Sequence, residues 1–385
     1  MSRFERLFLS IKRNGIRKTL VRVIAKIKRI IIPQSYFLNK EFFSDNKVHL
    51  AFYPTGGLGD YIISRAVLEE LAEDADYDIT VFCDKRAFAE AVYGDLANSY
   101  VDYSRFEGEC YKYDLALWVE HFVHVEGYKK KRLMRLAPKT YRRVEYINTH
   151  WKELYVDIPQ QCWRERVHFD RCEVLGLNRW TEQRMGQAFS IADMNVDIPL
   201  SEEYYDKWKK EFGGTGYITI NWGSDSMIPG KTQLKQWPKE RYEELIVQFK
   251  KEFPNIKIIQ LGDKKAIPIR GTDATVFGES LEYTKHILKN SLCHIDCEGG
   301  LVHLATQFKT KCIVIFGPTP IHMYAYPQNV NLVNTECAGC MGVHEAWAYE
   351  CFAKHHTARC MESITADRVM NELKPIIRSN ENANI

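Results

Sequence analysis

Two short segments of this chain place a carboxylate beside paired glycines. Asp60 closes the run Gly56-Gly57-Leu58-Gly59-Asp60, and Glu298 opens the run Glu298-Gly299-Gly300-Leu301-Val302-His303. A carboxylate at the end of a glycine loop can take a proton as a general base. The same Asp at the start of a helix is equally an ordinary cap. Gly299 and Gly300 let a ligand approach the backbone closely, and the bare N–H groups of a helix start attract a phosphate. The plainer alternative is a βα corner in a core, with His303 a satisfied core histidine. A further group of chemistry-bearing side chains is Cys337-x2-Cys340-x10-Cys351-x8-Cys360. Four thiols at this spacing suit a tetrahedral structural zinc or iron site. His344, His355 and His356 are spare ligands, and a cluster of reduced thiols is the alternative.

The elements that must hold these residues are legible. Residues 292–297 read as a buried strand, 301–309 as a helix and 312–316 as a second strand ending at Gly317-Pro318. Strand, glycine turn, helix, strand is a βαβ unit of a parallel sheet, which binds ligands at the carboxyl ends of its strands, where Glu298 stands. Residues 48–53 and 62–71 flank the Asp60 loop in the same way. Further strands are expected at 79–83, 115–118, 217–221 and 256–261, with helices at 240–253 and 364–375. The alternation gives an α/β protein with two doubly wound parallel-sheet domains, at 46–197 and 198–385.

Of the 385 residues, 45% are hydrophobic and 27% charged, which suits a globular protein with a large core. The net charge of +3 is unevenly placed: residues 1–45 carry +8, so the remainder carries −5. Nucleic-acid binding by the body is not expected. Leu7, Ile11, Leu20, Val23, Ile24, Ile27 and Ile31 recur at helical spacing between Lys and Arg. This basic amphipathic leader is expected to anchor to an anionic membrane surface, the alternative being a helix docked on its own domain. Eleven scattered cysteines, no secretory signal and no apolar run long enough to span a bilayer suit a reducing, cytoplasmic setting. Between Glu120 and Arg143 lies a basic and aromatic stretch: His121, His124, Lys129 to Arg132, Arg135, Lys139, Arg142 and Arg143. It would suit an anionic acceptor, or be a solvated face.

Taken in order, Gly57-Leu58-Gly59-Asp60, Lys235-Gln236-Trp237-Pro238, Glu298-Gly299-Gly300-Leu301-Val302-His303 and Phe316-Gly317-Pro318-Thr319 resemble glycosyltransferase family 9, the lipopolysaccharide heptosyltransferases. The resemblance covers most of residues 48–375. It implies a GT-B architecture, two Rossmann-like domains facing a cleft; the basic N-terminal helix lies outside the resemblance. It also implies inverting transfer of a heptose or related hexose from a nucleoside-diphosphate sugar, with no catalytic cofactor. Asp60 matches the catalytic base, beside Gly57 and Gly59, and Lys235 the diphosphate-binding lysine. Ser224 is aligned loosely as a phosphate ligand. Glu298 stands where the family carries Asp for the sugar hydroxyls, and Gly299 and Gly300 face the diphosphate. His303 follows one turn later. The implied acceptor is an anionic or lipid-linked saccharide in lipopolysaccharide, lipooligosaccharide or capsule assembly, reached at the inner face of the cytoplasmic membrane. A protein acceptor such as an adhesin, a non-catalytic nucleotide-binding scaffold and a nucleotide-sugar epimerase are the alternatives.

Overall fold

The computed structural model describes residues 42–155, 162–223, 233–344, 346–355 and 357–383. The basic leader helix, Ser224 and His356 lie outside the described residues.

The contacts divide the chain into two units. The first is built from β1 (Val48–Pro54), the end of α1 (Leu58–Ala72), β2 (Tyr77–Cys83), β3 (Ser99–Asp102), β4 (Leu115–Val119) and β5 (Val123–Tyr128). Its sheet has the order β3-β2-β1-β4-β5. The first four strands are parallel, and β5 runs antiparallel on the edge. Val48, Leu50, Ala51 and Phe52 are all fully buried in β1. A parallel strand is covered on both faces, so it reads as an unbroken apolar run.

β5 lies inside the stretch read as basic and aromatic, and its alternation of buried and part-buried residues is that of an edge strand. Three of the basic residues beyond it serve the fold. Arg132 is 1% exposed and lies 2.9 Å from the fully buried Asp114, with Lys129 at 3.5 Å. Arg132 also donates to the carbonyls of Phe43 and Lys47, and Arg143 pairs with Glu70. These three cations are engaged within the unit, whereas Lys130, Lys131, Arg135, Lys139 and Arg142 of the same stretch are exposed.

The second unit carries β6 (Tyr217–Asn221), α2 (Lys239–Glu252), β7 (Lys257–Gly262), β8 (Ala274–Phe277), β9 (His294–Cys297), α3 (Gly300–Gln307), β10 (Cys312–Phe316), β11 (Val330–Val333) and α4 (Ala366–Ala383). Its sheet is parallel throughout, in the order β11-β10-β9-β6-β7-β8. Counted within the unit this is the doubly wound order of dinucleotide-binding sheets. Ile218, Ile220, Phe249, Ile295, Ile313, Leu373 and Ile377 share one core cluster, so α4 is part of this unit's core.

A single cut between residues 197 and 198 does not describe the division. Residues 57–63 and 162–182 cluster with the second unit, and 183–191 with the first. The physical reason lies in close packing. A Cβ on Gly300 would come within 2.7 Å of Leu58 Cβ, and one on Gly59 within 2.4 Å of His303 Cδ2. Glycine at both positions lets the first turn of α1 lie against the start of α3.

Candidate active site

The second sheet reverses its winding between β6 and β9. Parallel sheets open a crevice at such a point, outside the carboxyl ends of the strands. Asn221 and Cys297 end those two strands here. Glu298 follows, then Gly299 in extended backbone, then α3. The N–H groups of Val302 and His303 turn back to the Gly299 carbonyl, and no side chain caps the helix start. Helix dipole and backbone donors therefore favour an anion at this point.

Beneath the crevice floor, Asp296 is 3% exposed and is held by the Asn221 amide at 3.0 Å and the Cys297 N–H at 2.7 Å. Burial pushes its carboxyl above the usual range, against the pull of His294 and Asn221. The pair fixes the ends of the two strands that frame the site.

Glu298 is 8% exposed, with Lys235 Nζ 3.6 Å from one carboxylate oxygen and His303 Nε2 3.7 Å from the other. Burial acts to raise the Glu298 carboxyl, but Lys235 first and His303 next outweigh it, so it is held below its ordinary value. The negative charge of Asp60 acts in the opposite sense on the same group. His303 is fixed from behind. Its Nδ1 lies 2.6 Å from the Tyr326 hydroxyl, which accepts from Trp180 Nε1 at 3.0 Å. With its oxygen occupied by the indole, Tyr326 can give its proton to Nδ1, which leaves the imidazole proton on Nε2, toward Glu298.

Asp60 stands in the first turn of α1. Its Oδ2 accepts the Gly57 N–H at 2.7 Å, as an acidic third residue does in half of a capping box. Its Oδ1 accepts from Arg179 Nη2 at 2.8 Å. The cap reading of this Asp is therefore met by one oxygen, while the other makes an ion pair. The side chain remains 28% exposed. Arg179 is 1% exposed and its other Nη donates to Glu182, whose second oxygen lies 2.8 Å from His168 Nε2. Burial acts to lower the guanidinium pKa, but Glu182 and then Asp60 raise it, so Arg179 stays charged.

The second unit thus brings together Gly57, Gly59, Asp60, Lys235, Glu298, Gly299, Gly300 and His303. Two of the glycines do something other than face a ligand. Gly300 makes room for Leu58 and Gly59 for the His303 ring, whereas a Cβ on Gly299 would meet no atom nearer than 3.8 Å. Arg179, Glu182 and Tyr326 were not singled out from the sequence. Their signal was faint: the turn Asn178-Arg179-Trp180-Thr181-Glu182, in which Asn178 Oδ1 accepts from the N–H groups of Trp180 and Thr181.

The cysteine segment lies elsewhere in the second unit. Gly339 N–H and Met341 N–H donate to the carbonyls of Gly317 and Pro318, just beyond β10. Cys337, Cys340, Cys351 and Cys360 are all free thiols. Burial pushes Cys340 up, then Cys351 and Cys337; burial pushes Cys360 up to about 12, with Cys337, Cys340 and Cys351 adding to it. The four therefore lie within electrostatic reach of one another. Among the described residues, no three of these sulfurs lie within 4.8 Å of each other.

No protein-family model matches the sequence, and no curated protein matches it. Solved structures do. The chain is similar to E. coli ADP-heptose lipopolysaccharide heptosyltransferase II, with a TM-score of 0.55 and 14% identity over 86% of this chain and 99% of that one. It is similar to the iron-containing dodecameric glycosyltransferase TibC from enterotoxigenic E. coli H10407, with a TM-score of 0.55 and 15% identity over 87% of this chain and 80% of that one. TibC in complex with ADP-D-β-D-heptose matches at a TM-score of 0.50, with 13% identity over 87% and 77% of the two chains. With its two parallel-sheet α/β units, the protein has the GT-B fold. At these identities the likeness is one of fold.

Proposed function

We propose that the protein is an inverting glycosyltransferase that takes its sugar, a heptose or related hexose, from a nucleoside-diphosphate donor. The observation that carries this reading is the convergence of Asp60, Lys235 and Glu298 beside the uncapped start of α3. The diphosphate binds at the N–H groups of α3 and at Lys235. Glu298 accepts hydrogen bonds from hydroxyls of the transferred sugar. Asp60 removes the proton of the acceptor hydroxyl as its oxygen attacks the anomeric carbon. The bond from that carbon to the diphosphate oxygen breaks, and the charge on the leaving group is countered by Lys235 and the helix dipole. No step is assigned to a cofactor.

The acceptor is proposed to be a saccharide of lipopolysaccharide, lipooligosaccharide or capsule, met at the inner face of the cytoplasmic membrane through the basic leader. Among the described residues, no helix is long and apolar enough to cross a membrane. A protein acceptor, which the family resemblance also allows, is a second reading. Four thiols are the right ligand chemistry for iron or zinc, but among the described residues no three of these sulfurs lie within 4.8 Å of one another, so binding would have to draw them together. Cys337, Cys340, Cys351 and Cys360 would hold such an ion, which would tie the 337–360 segment to the end of β10.

The test is thermal stabilisation of full-length protein by ADP, GDP, UDP or CMP. A shift with one of them that is lost in Lys235→Ala supports the donor site and names the base. No shift with any, in folded protein, refutes it. With the donor named, labelled sugar is followed into lipid, polysaccharide or protein of a bacterial extract. Asp60→Asn must abolish the transfer.

A further inference from the structure

The Asp60 carboxylate is not held by its own helix alone. Its Oδ1 is gripped by a guanidinium that comes from a turn 119 residues further along the chain. That guanidinium is buried, and its second arm is occupied by Glu182. Arg179 is fixed in turn: its N–H donates to the Met323 carbonyl at 2.9 Å, and the adjoining Trp180 is anchored on Tyr326. Glu182 is fully buried and braced by His168, which also lies 3.5 Å from the Cys172 thiol. A buried cation with one carboxylate on each arm is unfavourable for mere packing, because each charge loses its hydration on burial.

We propose that Arg179 and Glu182 are a positioning pair that sets both the orientation and the basicity of Asp60. This rests on Asp60 being the base of the proposed transfer. Arg179 fixes one oxygen of Asp60 and the Gly57 N–H fixes the other, so the carboxylate plane cannot rotate. Arg179 alone would hold Asp60 ionised but make it a poor proton acceptor. Glu182 cancels most of the guanidinium charge, which returns basicity to Asp60 while keeping its geometry. The other charged or titratable groups of the second unit facing this turn include His168 and Cys172 on the Glu182 side, Glu298, which repels Asp60 electrostatically, and Lys235 and His303 on the far side of Glu298. Tyr324 also faces the guanidinium.

A purely structural pair and a charge-setting pair predict different results. Full-length protein carrying carbon-13 aspartate carboxyls is titrated by NMR, with the Asp60 signal identified by its loss in Asp60→Asn. Arg179→Gln removes the cation and leaves Glu182 nearby, so the Asp60 midpoint rises, by about one pH unit or more. Glu182→Gln leaves the cation uncompensated, so the midpoint falls. Arg179→Lys keeps the charge but not the two-armed grip, and lies between wild type and Arg179→Gln. Midpoints that do not move, or that move in the same direction in Arg179→Gln and Glu182→Gln, overturn the proposal. Glu182→Gln preserves size and shape. If Arg179→Gln does not fold, a fall in Glu182→Gln supports the proposal and no fall overturns it. Transfer activity that survives Asp60→Asn would sink the general-base reading, and the titration would still stand or fall separately.

Discussion

Replacing Gly59 by alanine separates close packing from helix propensity by the sign of the effect. In an unconstrained helix the change stabilises by about 0.5–1 kcal/mol, because alanine loses less backbone freedom. Here the added Cβ would lie 2.4 Å from Cδ2 and 2.9 Å from Nε2 of His303. Non-bonded carbons rest about 3.5–4.0 Å apart, so roughly 1 Å must be opened. The ring cannot simply turn away. It is 4% exposed, its Nδ1 is tied to Tyr326, and Tyr326 is tied to Trp180. Overpacking of this kind costs about 1–3 kcal/mol. With the ring held on the side away from Gly59, the upper end applies, and the net loss is about 2 kcal/mol. In thermal unfolding this is roughly 4–8 °C for a unit of this size. The His303 imidazole would also be driven from Glu298, so nucleotide-sugar stabilisation weakens alongside. Gly299→Ala is the control. Its φ of 176° is open to any residue and its nearest neighbour is 3.8 Å away. Stability should change by less than about 0.5 kcal/mol, while nucleotide binding falls, because the new methyl group occupies space before the helix start. A Gly59→Ala protein more stable than wild type, with unchanged nucleotide binding, would refute the packing argument.

Three other outcomes are expected. Arg132→Ala should destabilise the protein by about 3–5 kcal/mol, since Asp114 is left buried without its nearest cation, while nucleotide stabilisation measured below the melting point is retained; a mild effect on stability would contradict the buried pairing. Glu298, with its folded pKa lowered, adds stability above its unfolded value of about 4.3 that is lost as pH falls through the folded value. Lys235→Ala raises the folded pKa toward or above the unfolded value, so the loss of melting temperature on acidification should shrink or reverse relative to wild type; superimposable curves would count against the Lys235–Glu298 contact. Protein purified without chelator should contain close to one iron or zinc per chain, and Cys337→Ser with Cys340→Ser should lose it together with some thermal stability. Metal content unchanged in that double variant would remove the thiol cluster as its site.

The alternating elements were legible because their causes are local. Tyr217–Asn221 and Cys312–Phe316 are short apolar runs bounded by polar or glycine-rich loops, and both are strands with those limits. The glycine pairs at 56–57 and 299–300 marked strand-to-helix turns correctly, because a helix entrance is written in a few adjacent residues. The edge strand Val123–Tyr128 was missed even though it alternates, because its charges drew it into a basic stretch. The fate of those charges is a long-range matter: nothing near Arg132 in sequence says that Asp114 will be buried beside it.

Sequence by itself determined that Asp60 and Glu298 stand at strand-to-helix turns and that Lys235 lies in the loop between a strand and the next helix. It could do so because strand direction and turn chemistry depend on neighbours within a few positions. It also supplied the four thiols and their spacing. Only the tertiary structure decided that Glu298 meets both Lys235 and His303, and that Gly59 and Gly300 are spacers between two chain segments. It alone brought Arg179 to Asp60 with Glu182 at its back. Ion pairing and close packing depend on which distant segments the two sheets bring together, and an arginine destined for a buried pair looks, in one dimension, like an arginine in water.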